Sequence, residues 1–202
     1  MPHVIKRIEN VKQFRLRSIS PGTVRLAETP TRFHVENVPT SSYLVLPETS
    51  SENRKYIPIG FLGPEALCSN AVRILPNASL YHFGILTSST HMAWMRTVAG
   101  RLKSDYRYSK DIVYNNFPWP NPTPAQKEKI EQTAQAILDA REQYPDASLA
   151  DLYDELTMPP ALRKAHQAND KAVWEAYGKP WPLDDEPACV AYLMDVYQEI
   201  LK

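Results

Sequence analysis

Residues 88–108 read SSTHMAWMRTVAGRLKSDYRY, and this stretch joins a predicted helix to a predicted strand. The hydroxyl residues at 88–90 offer an N-cap, and apolar side chains then recur at helical spacing up to about Ala99. Gly100 is placed to end the helix. The next eight residues alternate in character, as expected for an extended chain whose side chains switch faces at every residue.

Charge is predicted to concentrate on one face of this extended segment. That face would hold Arg101, Lys103, Asp105 and Arg107, and the opposite face Leu102, Ser104, Tyr106 and Tyr108. Lys and Arg donate to guanine O6 and N7, and Asp accepts from cytosine N4, so the charged face suits the reading of base pairs in a DNA major groove. A solvated edge strand explains the same pattern equally well. For Asp105, an ion pair that orients a neighbouring arginine is as good an explanation as cytosine recognition.

The composition is that of an ordinary globular protein. The chain has 202 residues, 43% of them hydrophobic, and this length suits one large domain or two small ones. No apolar run approaches the ~18 residues of a membrane helix, and the first residues lack the apolar core of an export signal. Cys68 and Cys189 are too few for a disulfide scaffold or a zinc site. We therefore expect a cytoplasmic protein without a membrane partner.

The net charge of zero conceals two halves of opposite sign. Residues 1–120 contain 15 Lys and Arg against 8 Asp and Glu, and residues 121–202 contain 8 against 15. A basic half joined to an acidic half indicates different partners for each. The basic half is the candidate for binding a polyanion, and the acidic half is expected to pack on protein.

The order of predicted elements indicates an α+β fold: a β-rich domain with an embedded recognition helix, then a small C-terminal helical bundle. A first helix is predicted over residues 4–20. Short runs of β-forming residues bounded by turn residues predict strands at 33–38, 43–46, 56–62, 71–75, 80–86 and 111–116. From residue 121 the period becomes helical, with a capping box at Thr123 and Gln126 and further helix starts near Ser148, Pro159 and Asp184.

The chain contains no recognisable catalytic motif. Its six glycines form no phosphate-binding pattern, and its five histidines are scattered without metal-ligand spacing. A nucleophile pair of Cys68 and His82, or a small hydrolase built on Cys68 or a serine, remains an alternative, as does a protein-interaction or scaffold module with a basic binding face. Five cations lie within 15 residues and are interleaved with aromatic side chains, which favours nucleic acid: Arg96, Arg101, Lys103, Arg107 and Lys110.

Two stretches resemble a known family. Residues 56–62 read YIPIGFL, and residues 91–120 read HMAWMRTVAGRLKSDYRYSKDIVYNNFPWP. They resemble the C-terminal part of single-chain restriction–modification enzymes of the MmeI type (Type IIL), most specifically in Gly-Arg-Leu-x-Ser-x-Tyr-x-Tyr-Ser at 100–109 and in VYNNFPWP at 113–120. The resemblance implies that residues 1–29 are a linker from a methyltransferase domain, residues 30–120 a DNA target recognition domain, and residues 121–202 a C-terminal helical domain.

The resemblance also implies roles for individual residues. Lys103 and Asp105 are expected to read one G·C pair jointly, and Arg107 a neighbouring pair. Further base contacts map onto Glu48, Asn70 and Ala71. The residues expected at the DNA backbone are Arg96, Arg101, Ser104 and Lys110.

The rest of such an enzyme has no counterpart in this sequence. The family carries a nuclease and an adenine-N6 methyltransferase in the same polypeptide, so those domains and double-stranded DNA are the expected partners. S-adenosylmethionine and Mg²⁺ are expected for the full-length enzyme, and no cofactor, metal site or catalytic residue is expected within this chain.

Overall fold

The structure, a computed structural model, describes residues 1–36, 39–178 and 185–202. The chain separates into two compact units, Met1–Val38 and Pro39–Lys202. The N-terminal unit contains helix α1 (Pro2–Leu16), helix α2 (Pro21–Arg25) and a 3-10 turn (Leu26–Glu28). The Arg15 guanidinium donates to the carbonyl oxygens of Leu26, Thr29 and Arg32 at 2.6–2.9 Å, which folds the segment after α2 back along α1.

The second unit contains two small antiparallel sheets. The first has the order β3-β1-β4, with β1 (Tyr43–Pro47) between β3 (Gly60–Leu62) and β4 (Val72–Pro76). The second has the order β2-β6-β5, formed by β2 (Thr49–Ser50), β6 (Asp105–Arg107) and β5 (Gly100–Leu102). Only Glu48 separates β1 from β2, so one residue connects the two sheets along the chain.

Most helices of this unit begin at a residue whose side chain caps them, and the helix that starts at Pro160 begins after Pro159 without such a bond. They are α3 (Leu80–Leu86), α4 (Ser89–Val98), α5 (Pro124–Glu142), α6 (Leu149–Leu152), α7 (Pro160–Ala176) and α8 (Glu186–Ile200), with a π-helical turn at Lys110–Tyr114. Reciprocal capping boxes open α3 at Ser79, α5 at Thr123 and α6 at Ser148. Asp185 accepts from the Ala188 backbone N–H at the start of α8. The predicted Asp184 lies outside the described residues.

One hydrophobic core runs through the second unit. Helix α5 packs against α7 and α3, while α4 packs against α7 and α8. Trp94 on α4 is 1% exposed, and it shares the core with Ile130 and Ile137 of α5 and with Val173 of α7. The C-terminal helices therefore pack directly on α3 and α4, the helices that precede strands β5 and β6.

Buried polar groups tie α7 to α3 and α4. Asp170 accepts from the Ser89 backbone N–H at 2.7 Å and from the Tyr56 hydroxyl at 2.7 Å. The neighbouring Asn169 donates to the Gly84 carbonyl oxygen at 2.8 Å. Burial is the main cause that raises the pKa of Asp170, to about 6. The carboxylate thus caps the N-terminus of α4 from another helix.

The α+β class and the C-terminal helical region are confirmed, but several predicted elements differ. Residues 80–86 form a helix instead of a strand, because Ser79 and His82 cap them and the apolar run is buried on several sides. Residues 111–116 contain a π-helical turn, and only the end of 56–62 is a strand. Residues 33–36 hold no strand, and Asn37 and Val38 lie outside the described part. Helix α1 ends at Leu16, before the predicted end at residue 20, and Pro21 opens α2.

Candidate nucleic-acid interface

The segment after α4 is a β-hairpin. Strands β5 and β6 pair with Arg101 opposite Tyr106 and Leu102 opposite Asp105, and Lys103 and Ser104 form the two-residue turn. Residues opposite each other in an antiparallel pair share a face, so Arg101 lies on the Tyr106 face while Asp105 and Arg107 lie on the other. The predicted single charged face is therefore wrong for Arg101, because the chain reverses direction at Lys103.

Arg101 is held against its own strand partner. Its guanidinium lies 3.8 Å from the centroid of the buried Tyr106 ring, and its Nη1 donates to the Ser104 carbonyl oxygen at 2.7 Å. A longer ion pair, 3.7 Å, joins it to Glu52. The stacked and hydrogen-bonded guanidinium stiffens the hairpin turn from one side. Its side chain is still about half exposed.

Lys103 occupies the first position of the turn with a φ of 57°. This left-handed conformation costs an L-residue roughly 1–2 kcal/mol, and turns of this kind usually place Gly there. Within residues 1–36, 39–178 and 185–202, neither the Lys103 ammonium nor the Asp105 carboxylate has a hydrogen bond or an ion pair. Both groups are therefore available to a ligand, and Asp105 does not orient an arginine of the described chain.

The base of the hairpin is fixed to α4. The Tyr108 hydroxyl and His91 Nε2 lie 2.8 Å apart, and both side chains are buried. Burial lowers the pKa of His91 to about 3, so the imidazole is neutral near pH 7. The Tyr108 backbone N–H donates to the Glu48 carbonyl oxygen at 2.7 Å. The hairpin thus projects from a rigid support.

Helix α4 supports the hairpin and offers little surface of its own. Residues 90–95 are buried, and Thr97 is the one exposed residue of this described helix. The helix predicted as the recognition helix therefore offers little surface to DNA, and the exposed surface belongs to the hairpin. The helix was placed correctly in the sequence, but the core surrounds residues 90–95, the polar Thr90 and His91 included, so the helix has no side free to face a groove.

Glu48 lies where the two sheets meet. Its backbone N–H donates to the Ala71 carbonyl oxygen at 2.9 Å, and its side chain accepts from Arg107 at 3.1 Å. Arg73 Nη2 lies 3.2 Å from the same carboxylate oxygen. The structure thereby brings together Glu48, Ala71 and Arg107, which were predicted from distant parts of the sequence. Asn70, beside Ala71, is exposed.

Arg73 is the member of this cluster that sequence reasoning missed. It lies in a correctly predicted strand, β4, and all the remaining residues of that strand are apolar or Pro. The available indication in the sequence was an isolated arginine in a short apolar strand. Its partner Glu48 was predicted as a base reader, and not as a partner for arginine.

The residues predicted at the DNA backbone are placed differently from one another. Arg96 forms a two-point ion pair with Glu186 of α8, with Nη2 to Oε2 at 2.6 Å and Nε to Oε1 at 2.9 Å. This ion pair joins α4 to α8, and the role of Arg96 as a phosphate contact stays a prediction. Ser104 and Lys110 are exposed, and Lys110 lies 3.2 Å from the exposed carboxylate of Asp111.

The alternative catalytic pair gains no support from the local geometry. His82 Nδ1 accepts from the Ser79 backbone N–H at 3.1 Å as part of the α3 capping box. The Cys68 thiol lies 3.4 Å from the Tyr43 hydroxyl. Among the described residues, no group of three His, Cys, Asp or Glu is arranged to hold a metal ion. The described helices include none that is long and apolar enough to cross a membrane.

Comparisons with known proteins agree with this architecture. Residues 1–121 match the family model described as "MmeI, target recognition domain", and residues 122–202 match "MmeI, C-terminal domain". The chain is 42% identical over 200 residues to a protein of Bacillus subtilis (strain 168) named DNA methyltransferase A, covering 98% of this chain and 22% of that protein. A solved structure of the Type IIL restriction–modification enzyme MmeI in complex with DNA superimposes with a TM-score of 0.92 at 48% identity, covering 98% of this chain and 26% of the solved chain.

These matches define a class of protein, a target recognition domain followed by a C-terminal domain. The chain belongs to the MmeI family. It spans about a quarter of the length of the two relatives.

Proposed function

We propose that this chain is the DNA sequence-recognition part of a restriction–modification enzyme, and that it reads base pairs in the major groove with its β5–β6 hairpin. The observation that carries the proposal is the placement of Lys103 and Asp105. They lie two residues apart at an exposed hairpin turn, and neither charged group has a partner within the described residues. The match to a target recognition domain and the likeness to an enzyme solved with DNA support it.

The two side chains have the chemistry for one G·C pair. The Lys103 ammonium donates to guanine O6 and N7, and the Asp105 carboxylate accepts from cytosine N4. An acid near phosphates costs affinity, so a partnerless Asp105 among cations favours base recognition over a purely electrostatic role. Arg107 shares the Asp105 face and would reach a neighbouring pair. Asn70 and Ala71, beside Glu48, would border a further pair.

The remaining exposed polar residues of the hairpin would position the duplex. Arg101, Ser104 and Lys110 are the candidate phosphate contacts, because they flank the proposed base readers and are exposed. Phosphate contacts hold register and orientation and carry no sequence information themselves. The rival reading of the basic surface as a protein-interaction face predicts no preference among DNA sequences.

The whole enzyme would need parts beyond these residues. By the family relationship, an adenine-N6 methyltransferase domain using S-adenosylmethionine and a Mg²⁺-dependent nuclease would belong to the same polypeptide and act in the bacterial cytoplasm. The contribution of this chain would be to select the DNA sequence at which those activities operate.

Selection of this chain against a randomised duplex pool at low salt tests the proposal. We expect enrichment of a short motif that contains a fixed G·C pair, and relaxation at that pair when Lys103→Ala and Asp105→Ala are combined. A loss of roughly 5- to 150-fold in preference corresponds to one good base contact. Binding without an enriched motif would mean that the basic surface binds DNA without reading its sequence. The absence of binding would contradict the proposed function.

The Lys103→Gly variant tests whether Lys103 serves DNA recognition or the stability of the turn. Gly adopts the left-handed backbone without the free-energy cost that Lys103 carries there. It also adds conformational entropy to the unfolded chain, which lowers the stability of the folded chain by about as much. We therefore expect a melting temperature equal to or slightly above that of the parent chain, together with a loss of preference at the G·C pair. A clear loss of stability would show that Lys103 serves the fold of the hairpin.

A further inference from the structure

The second sheet has a buried face and an exposed face. Tyr106 of β6 is 7% exposed, and side chains of consecutive strand residues point to opposite faces. Residues directly opposite each other in an antiparallel pair share a face. The exposed face therefore holds the two β6 residues beside Tyr106 and their partners on β5: Asp105, Arg107, Leu102 and Gly100. Two proposed base readers on β6 thus lie next to two uncharged residues on β5.

Neither the backbone nor the packing at residue 100 requires a glycine. The sequence predicted that Gly100 ends α4, but the helix already ends at Val98, its C-cap Ala99 is extended, and Gly100 has no left-handed φ. An added Cβ would have no heavy atom of the described chain within 4 Å, apart from those of the adjoining residues. A glycine inside a strand weakens the strand and often marks a close approach by a ligand. The space over Gly100 is therefore open to a ligand.

Leu102 is the uncharged neighbour of a proposed base reader. Its side chain is 53% exposed, and the residue is paired directly with Asp105. The Cβ atoms of such a pair lie about 5 Å apart, so a base bound by the Asp105 carboxylate would also come within reach of Leu102. The stacking of Arg101 on Tyr106 supports the hairpin from the opposite face. An exposed leucine is common by itself, but this one is held beside a carboxylate that is available to a base.

We propose that strand β5 supplies the apolar part of the base-reading surface. Leu102 contacts the C5 edge of the cytosine whose N4 amino group is bound by Asp105. Gly100 leaves room for the C5 edge of a pyrimidine beside Arg107. This inference rests on the proposed function and adds two specificity-determining residues to it, together with the chemical group that they recognise, the C5–H or C5-methyl group of a pyrimidine.

The chemistry of the major groove pairs the two strands with two kinds of base atom. In a pyrimidine, C5 is bonded to C4, which carries the N4 donor of cytosine or the O4 acceptor of thymine. The hydrogen-bonding group and the C5 edge therefore lie side by side. A charged side chain suits the first, and an apolar side chain or an open space suits the second, because C5 offers no hydrogen bond. The pairing of β5 with β6 places these two kinds of residue side by side in the same way.

Methylation of one carbon tests the Leu102 contact. The duplex selected by the 202-residue chain is prepared with cytosine or 5-methylcytosine in the G·C pair that the combined Lys103→Ala and Asp105→Ala changes relax. We expect the parent to bind the methylated duplex about fourfold more tightly, because one methyl group is buried against Leu102. Leu102→Ala is expected to bind both duplexes equally. Leu156→Ala is the matched control, since Leu156 is a more exposed leucine outside both sheets, and it should keep the fourfold gain.

Substitution at residue 100 tests the open space. Gly100→Val and Gly100→Ala are expected to keep or raise the melting temperature, because both residues suit a strand better than glycine does. We expect Gly100→Val to weaken binding of the selected duplex by about tenfold or more through overpacking, and Gly100→Ala to weaken it less. Gly22→Ala is the control, because its added Cβ would lie 3.8 Å from Ser20 Oγ in ordinary contact. If Gly100→Val lowers the melting temperature, Gly100→Ala decides, since its single added carbon has room in the free chain.

Two results would overturn the inference. One is a methylated duplex that the parent binds no better than the unmethylated one, or a gain that Leu102→Ala retains in full. The other is an affinity for the selected duplex that neither substitution of Gly100 changes. A parent chain that selects no motif contradicts the proposed function instead, so the two failures are distinguishable.

Discussion

Replacing Lys103 by Asp together with Asp105 by Arg is expected to change the preferred base from guanine to cytosine at one position of the recognition sequence. The exchange places an acceptor where the ammonium was and a donor where the carboxylate was, so the preferred base pair is inverted. Asp is one of the residues that tolerate a positive φ, so the turn at residue 103 accepts the change. The total charge of the pair is unchanged.

The measurement is the same randomised-duplex selection, read as the ratio of G to C at that position. We expect the ratio to reverse by tenfold or more, because each good contact is worth roughly 1–3 kcal/mol of discrimination. Lys103→Arg alone is the control, since it keeps a donor at residue 103 and should retain guanine. An unchanged motif in the exchanged variant would refute joint reading by the two residues.

Acid is expected to destabilise the hairpin support through His91. Burial lowers the pKa of His91 to about 3, below its ordinary value of 6.5, so the unfolded chain binds a proton more readily than the folded one. The stabilising contribution is complete above about pH 6.5 and is lost as the pH falls toward 3. Between pH 7 and pH 4 the expected loss from this one group is about 3 kcal/mol.

The contacts of His91 explain why it resists protonation. Nε2 is within hydrogen-bond distance of the Tyr108 hydroxyl, and the buried Nδ1 has no hydrogen-bond partner among the described atoms. An imidazolium must donate from both nitrogens, so its second N–H would be left unsatisfied. His166 is also buried, and burial lowers its pKa too, so its protonation also destabilises the folded chain at low pH. Asp170 acts in the opposite direction, because its raised pKa favours the protonated form of the folded chain.

The difference between two chains isolates the His91 contribution. Unfolding by denaturant from pH 4 to pH 7 is compared for the parent and for His91→Gln, which keeps an amide near Tyr108 and does not titrate. We expect the loss of unfolding free energy at pH 4 to be about 3 kcal/mol smaller in the variant. His3→Gln, at an exposed position of α1, serves as the control. Parallel pH profiles for the parent and His91→Gln would contradict the assignment.

The sequence was most informative where local chemistry alone decides the structure. Thr123 and Gln126 predicted the start of α5, and the structure shows their reciprocal capping box. Ser88 predicted the start of α4 in the same way, and its side chain accepts from the His91 backbone N–H. Strands β1 and β4 were also predicted nearly to their ends. In each case the deciding residues are neighbours along the chain.

Two errors came from contacts that are distant in sequence or from a turn without its usual residues. The run at residues 80–86 (LYHFGIL) is largely apolar and short, so no period distinguishes a buried strand from a buried helix. The reversal at Lys103 and Ser104 lacks the Gly or Asn that such turns usually contain, so the segment was interpreted as continuous. That turn decides which charges share a face, so the error propagated from the fold to the candidate site.

The candidate site was predicted in part for the same reason. Lys103, Asp105 and Arg107 are close in sequence, and the alternation around them was enough to identify them as base-reading candidates. The meeting of Glu48 with Arg73 and Arg107 depends on strands from both sheets, and no local pattern specifies it. Arg96 has the right charge and position along the chain, but Glu186, ninety residues later, determines where it is directed.

The packing of α3 and α4 on α5 and α7 bears on how specificities can be moved between enzymes. The two family models meet at residue 121. In a chimaera joined there, the two sets of side chains that pack against each other in one hydrophobic core would come from different proteins. Close-packed interiors tolerate such mismatches poorly. Within the second compact unit, Asp170 and Asn169 would also face foreign partners on α3 and α4. The natural cassette for grafting therefore begins near Pro39 and keeps the acidic helices with the hairpin they support.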